Sequence, residues 1–260
     1  SMFRSFAELG SKLTPLTGNE RLKILHDYYR LGREDEFNFD IRRGRITGTD
    51  FRNEICNTRI KYHSDYFEDE GKVGRVLFIK KYPTYLSDRF FTELTFLPVH
   101  SVTSVDVVPV PKDLTMKMLQ KKYLGIESDI IKQQRTRNRN NDFSSDISYA
   151  TRQKKKDIEE IMNNVRENDE SLYYVSVTMI VMADDRDELE SICETVDSIA
   201  KGAGCAVDTC MYKQREAVNT TLPIGVRQIE TMRTMLTQSL AVLMPFNVQE
   251  LCDRNGIYYG

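Results

Sequence analysis

Three histidines (His26, His63, His100), five cysteines and the acid-rich run Asp65–Glu70 are the residues whose types could support catalysis or metal binding in this chain. A phosphate-binding loop needs Gly, four residues, then Gly-Lys-Ser/Thr, so that backbone amides wrap the phosphates and the lysine neutralises them. Gly71-Lys72 is followed by Val73, and position 66 is Tyr rather than Gly, so the pattern fails. Lys201-Gly-Ala-Gly204 closes a helical pattern instead of opening one and reads as a helix stop, not an anion site. His63 or His100 with Cys56 would make a base–nucleophile pair, but no nucleophile elbow or other local signature accompanies them. Cys205 and Cys210 are separated by four residues, with no second pair and no suitably placed histidine, so Cys56, Cys193, Cys205, Cys210 and Cys252 read as structural thiols. The acids of 65–70 could hold a divalent ion, but acids at a hairpin tip are far more often a solvated turn, and they are read as one. The sequence therefore predicts no catalytic, cofactor-binding or metal-binding residue.

The segment 132–156 carries a different signal. Lys132, Arg135, Arg137, Arg139, Arg152, Lys154, Lys155 and Lys156 stand against Asp142 and Asp146, a local excess of about six positive charges. Such a patch favours phosphate backbones or anionic lipid head groups, at roughly 1 kcal/mol per cation near a charged membrane surface. Phe143 and Tyr149 could stack on bases or sit at a lipid interface. A solvated helical-hairpin tip is the alternative.

The elements that must position these residues follow from periodicity. Residues 1–19 mix Ser, Thr, Gly and Pro with isolated Phe3 and Phe6 and read as a mobile or docking tail. Leu22, Ile24, Leu25, Tyr28, Tyr29 and Leu31 recur at helical spacing up to Gly32. Residues 33–56 give a weak signal. Asn57–Phe67 and Val73–Tyr82 flank Glu68-Asp-Glu-Gly71 as a β-hairpin. Ser87 caps a short amphipathic helix through Leu94, and Val99–Val110 is a strand. Residues 112–168 predict a long helical hairpin with a flexible basic tip near 134–148. Leu172–Ala183 is the strongest strand, apolar on both faces towards its end and hence central. A helix carrying Leu189, Ile192, Val196 and Ile199 follows, and then a strand over Cys205–Tyr212. The expectation is an α+β chain: an antiparallel or mixed sheet covered by helices on one face, built from split βαβ-like halves, with the helical hairpin inserted.

Composition sets bounds on this reading. With 40% hydrophobic and 29% charged residues the chain is of globular type, and its net charge of −2 gives no global attraction to nucleic acid or anionic lipid. No apolar run approaches the roughly 18–20 residues of a membrane span. The odd cysteine count, with nothing resembling a secretory leader, favours reduced thiols in a cytoplasm. Ser1-Met2 reads as a protease scar before a native start.

Gly74-Arg-Val-Leu-Phe-Ile79, Tyr82-Pro83 with Leu86-Ser87-Asp88 and Glu93-Leu94, and Thr221-Leu-Pro-Ile-Gly225 form an ordered series. Ser239-Leu-Ala241, Pro245-Phe246, Gln249-Glu-Leu251 and Gly256-Ile-Tyr-Tyr-Gly260 continue it. Together these segments, covering about residues 57–260, resemble the N-terminal domain of the conjugative-transfer ATPases of type IV secretion. This is the VirB-four, TraC and TrbE class, in the form carried by conjugative elements of Gram-positive bacteria.

The resemblance implies that a P-loop ATPase domain follows residue 260, with ATP and Mg belonging there. It implies a cytoplasmic protein held peripherally at the inner face of the cell membrane. Its partners would be membrane subunits of the DNA-transfer channel and its own ATPase domain, with anionic lipid a further candidate. The expected division is a tail (1–19), a first α/β lobe (20–111), the hairpin with its basic tip (112–168), and a second α/β lobe leading toward the motor (169–260). The expected function is non-catalytic docking and assembly; the alternative is a nucleic-acid-binding module acting through 132–156. Arg135, Arg137, Arg139, Lys154, Lys155 and Lys156 form the predicted docking face. Pro223, Gly225, Pro245 and Phe246 are the predicted hinge and packing elements toward the motor.

Overall fold

The strand β5 (Leu172–Ala183) lies at the centre of a seven-stranded antiparallel sheet, where the sequence places it. The computed structural model describes residues 2–8, 10–30, 33–56, 59–83, 86–139, 149–168 and 170–243. Before the sheet come the helices α1 (Met2–Glu8), α2 (Gly18–Tyr29), α3 (Ile41–Thr47) and α4 (Arg52–Ile55). Thr17 caps α2 through a reciprocal pair with Glu20, which satisfies two otherwise unpaired amides. Structure thus begins inside the predicted tail, and the weak 33–56 segment holds a single 3-10 turn at Glu34–Glu36 and the two short α-helices α3 and α4.

The predicted hairpin forms, with a shorter first arm. β2 (Phe67–Asp69) pairs with β3 (Lys72–Lys81) across Glu70-Gly71, both at positive φ as a tight two-residue turn requires. β1 (Lys61–Tyr62) folds back onto β2, so the expected strand over Asn57–Phe67 is broken. Next come α5 (Asp88–Thr95), capped by Ser87, and β4 (Ser101–Pro109). The helices α6 (Lys112–Arg139) and α7 (Tyr149–Glu167) lead to β5. Then follow α8 (Arg186–Gly202), β6 (Ala206–Thr209), α9 (Gln214–Thr221), β7 (Arg233–Leu236) and α10 (Thr237–Ala241).

Two βαβ units interlock. β3 and β4 flank β5, and β5 and β6 flank β3, giving the order β6-β3-β5-β4 with all neighbours antiparallel. That is the split βαβ arrangement of the ferredoxin-like type. Its two crossover helices, α5 and α8, share one face and bury Phe90, Phe91, Leu94, Leu189, Ile192 and Val196 against β3 and β5.

The opposite face is also covered, contrary to the one-sided expectation. Tyr28 of α2 and Ala217 and Val218 of α9 pack there on Val76, Ile180 and Met182. The apolar run Val177–Ala183 requires this, because a strand hydrophobic on both faces needs cover on both. The sequence does not mark β7, which extends the sheet by pairing with the start of β5.

Candidate docking surface

The helical hairpin grows from the point where β4 and β5, adjacent and antiparallel, could have been joined by a short turn. Val110 N donates to Leu172 O at 2.9 Å, so the two ends of the insertion meet. Thr115, almost fully buried, donates its hydroxyl to Pro111 O at 3.1 Å, and Tyr174 donates its own to Met118 Sδ at 3.3 Å. These bonds and the buried Leu119 root α6 in the sheet. Its 28 residues then extend outward for about 42 Å.

Along α6 the partly shielded positions Tyr123, Ile126, Glu127 and Ile130 face α7, and the described side chains beyond Ile130 are exposed. Lys155 Nζ lies 3.0 Å from Glu127 Oε1 and 5.0 Å from the centre of the Tyr123 ring. The hydrogen bond from Lys155 holds the Glu127 carboxyl below its usual range, and the same bond raises Lys155. This contact sets the antiparallel register of the two helices. By that register Tyr149 is level with about residue 133, and the last turns of α6 reach beyond it.

The six predicted docking residues therefore do not form one cluster. Lys155 is turned inward and ties α7 to α6. Lys154 and Lys156 flank it, both exposed, on opposite sides of α7. Arg135 and Arg139 are exposed near the distal end of α6, and Arg137 lies on the same helix. Among the described residues Arg135, Arg139, Lys154 and Lys156 form no ion pair. The stretches 130–139 and 149–156 carry four cations each and no acid, whereas acids are interspersed nearer the root. Ile131 and Tyr149 are exposed within this basic zone, Tyr149 by 81%. α6 remains helical through Arg139, so residues 134–139 of the expected flexible tip are helix; residues 140–148, including Phe143, lie outside the described residues.

Pro223 and Gly225 sit in the exposed segment after α9, with Gly225 at φ 69. That segment folds back: Gln228 N donates to Thr220 Oγ1 at 2.9 Å and Ile229 is buried, so the chain returns to the sheet through β7. Pro245 and Phe246 lie outside the described residues.

The remaining chemistry-capable groups are dispersed. His26 is 2% exposed and packs edge-on against Phe37. His63 stacks on Tyr66 and pairs with Glu68, while His100 is exposed at the start of β4. Burial, then Asp69, pushes the Cys56 thiol up, the wrong direction for a nucleophile. The acids of 65–70 go to separate partners: Asp65 to Arg75 and Arg186, Glu68 to Lys61 and His63, Glu70 to Arg33.

No protein-family model matches this chain, and no curated protein matches it.

Proposed function

We propose that this chain is a non-catalytic docking and assembly domain of a conjugative-transfer ATPase of the type IV secretion class. In this reading it holds a cytoplasmic motor, to which ATP and Mg belong, against membrane subunits of a DNA-transfer channel at the inner face of the cell membrane. The observation that carries the reading is the charge segregation on the hairpin. Arg135, Arg139, Lys154 and Lys156, exposed and without an ion pair among the described residues, stand on a helical pair rooted in the sheet, a geometry that presents charge to another surface. No helix among the described residues is long and apolar enough to cross a membrane, so contact through such a surface would be peripheral.

The test is binding of the purified chain to phosphatidylglycerol vesicles bearing the channel subunits of its own element. Arg135→Glu/Arg139→Glu/Lys154→Glu/Lys156→Glu should abolish co-sedimentation while the far-ultraviolet spectrum stays native. Retained binding in that variant overturns the reading. So does tight DNA binding by the parent chain that weakens steeply with salt through counterion release, which would favour the nucleic-acid alternative. Nucleotide hydrolysis by the chain alone would also overturn it.

A further inference from the structure

A second surface lies at the root of the hairpin, away from the basic tip. A cleft of about 410 Å³ opens between α6, α7 and the end of the sheet formed by β3 and β7. Its apolar floor includes Leu86, Met118, Leu119, Ile158, Ile161 and Met235. The volume falls within the roughly 300–1,000 Å³ of ligand-sized sites. Cations come from three separate elements around it: Lys80 and Lys81 from β3, Lys122 from α6 and Arg233 from β7.

Three of these four cations form no ion pair among the described residues. Lys80 is paired with Asp208 at 2.8 Å. Lys81 and Lys122 are exposed and form no ion pair among the described residues. Arg233 donates Nε to Lys80 O at 2.8 Å and Nη1 to Met232 O at 3.0 Å, neutral acceptors that leave its charge uncompensated. The single acid in the lining, Asp157, accepts a bond from Gln153.

We infer that this cleft receives an acidic amphipathic peptide segment of a partner protein. The segment's apolar side chains lie on the floor, and its carboxylates meet Lys81, Lys122 and Arg233. Charge complementarity chooses the occupant. Uncompensated cations contributed by three elements suit carboxylates spaced along a chain better than the single head group of a fatty acid. An apolar stripe with flanking acids is the pattern of helix-in-groove recognition. The inference stands on the cleft and not on the identity of the motor.

A fluorescein-labelled model peptide with Leu at helical spacing and Glu elsewhere tests it by anisotropy, beside the same peptide with Lys for Glu and beside oleate. The Glu peptide should bind and the Lys peptide should not. Lys81→Glu/Lys122→Glu should weaken binding by about tenfold or more, as loss and reversal of complementary charge does. Ser239→Phe, which fills one side of the cleft, should weaken binding comparably without altering surface charge. Arg135→Glu/Arg139→Glu should leave it unchanged, separating this site from the tip. Loss with the tip variant but not with the cleft variants would overturn the proposal and leave tip docking intact. Equal binding of the Lys peptide, or oleate binding in place of peptide, would overturn it as well.

Discussion

Arg75, on β3 beside the central strand, grips Glu190 of α8 with two prongs, Nη1 to Oε2 at 2.8 Å and Nη2 to Oε1 at 2.7 Å. Its remaining donors close on Asp65, Nε to the carbonyl at 2.9 Å and Nη2 to the carboxylate at 3.0 Å. Arg75 is 6% exposed, so a buried guanidinium depends on these acceptors and joins the turn before β2, the sheet and α8.

Glu190→Gln should therefore destabilise the chain by about 1–2 kcal/mol, a value kept low because the Glu190 side chain is half exposed and screened. The bond from Arg75 lowers the Glu190 pKa. Its contribution is present above the ordinary carboxylate range and is lost as pH falls through the lowered folded value. Urea denaturation at pH 7 and at progressively lower pH checks both points: the gap between variant and parent should close on acidification.

Gln214 replaces a missing strand. β3 pairs with β2 through Gly74 and with β6 from Leu77, which leaves Val76 between the two partners. Gln214 Oε1 accepts from Val76 N at 2.9 Å and its Nε2 donates to Cys210 O at 3.0 Å, with the residue 1% exposed. Gln214→Leu should cost about 1–3 kcal/mol by orphaning the buried Val76 amide, while Cys210 O keeps its bond from Lys213 N. Accelerated exchange of the Val76 amide, measured by NMR, would locate the damage; unchanged protection would refute the role.

Asp106 is an inward-facing charge on β4, whose outer edge has no strand partner among the described residues. Its Oδ2 is buried without a hydrogen-bond partner among the described residues, and burial raises its pKa, partly opposed by Arg227. For an acid raised in the folded state, the penalty is absent below the unfolded value, grows as pH rises from there towards the raised folded value, and is complete above it. Asp106→Asn should thus stabilise the chain at pH 7 by a few tenths to about 1 kcal/mol, after allowance for solvent screening. Inward charges blunt edge-to-edge pairing, so Asp106→Val should self-associate more, as read by analytical ultracentrifugation.

Burial pushes the Cys205 thiol up to about 11 and that of Cys210, with a smaller contribution from Asp208, up to about 12. Both should resist Ellman's reagent at pH 8 in the folded chain and react on addition of urea. Rapid reaction of Cys210 in the native state, mapped by mass spectrometry, would contradict the packing of its cluster.

Local elements were legible in the chain wherever their signals are carried by neighbouring residues. The 3.6-residue stripes of α6, α7 and α8, the Ser87 cap, and the doubly apolar run of β5 each arise from residues within a few positions of one another. The local charge excess of the hairpin tip was legible for the same reason. What required the tertiary structure was everything set by which residues meet from afar. The second helical layer of α2 and α9, the short β1 and β7, and the inward turn of Lys155 depend on partners distant in sequence. The cleft at the hairpin root draws Lys81, Lys122 and Arg233 from three elements and left no pattern in the chain. Strands as short as β7 are fixed by the edge they pair with rather than by their own propensity, and a side chain's charge becomes available or spent only once its neighbours are in place.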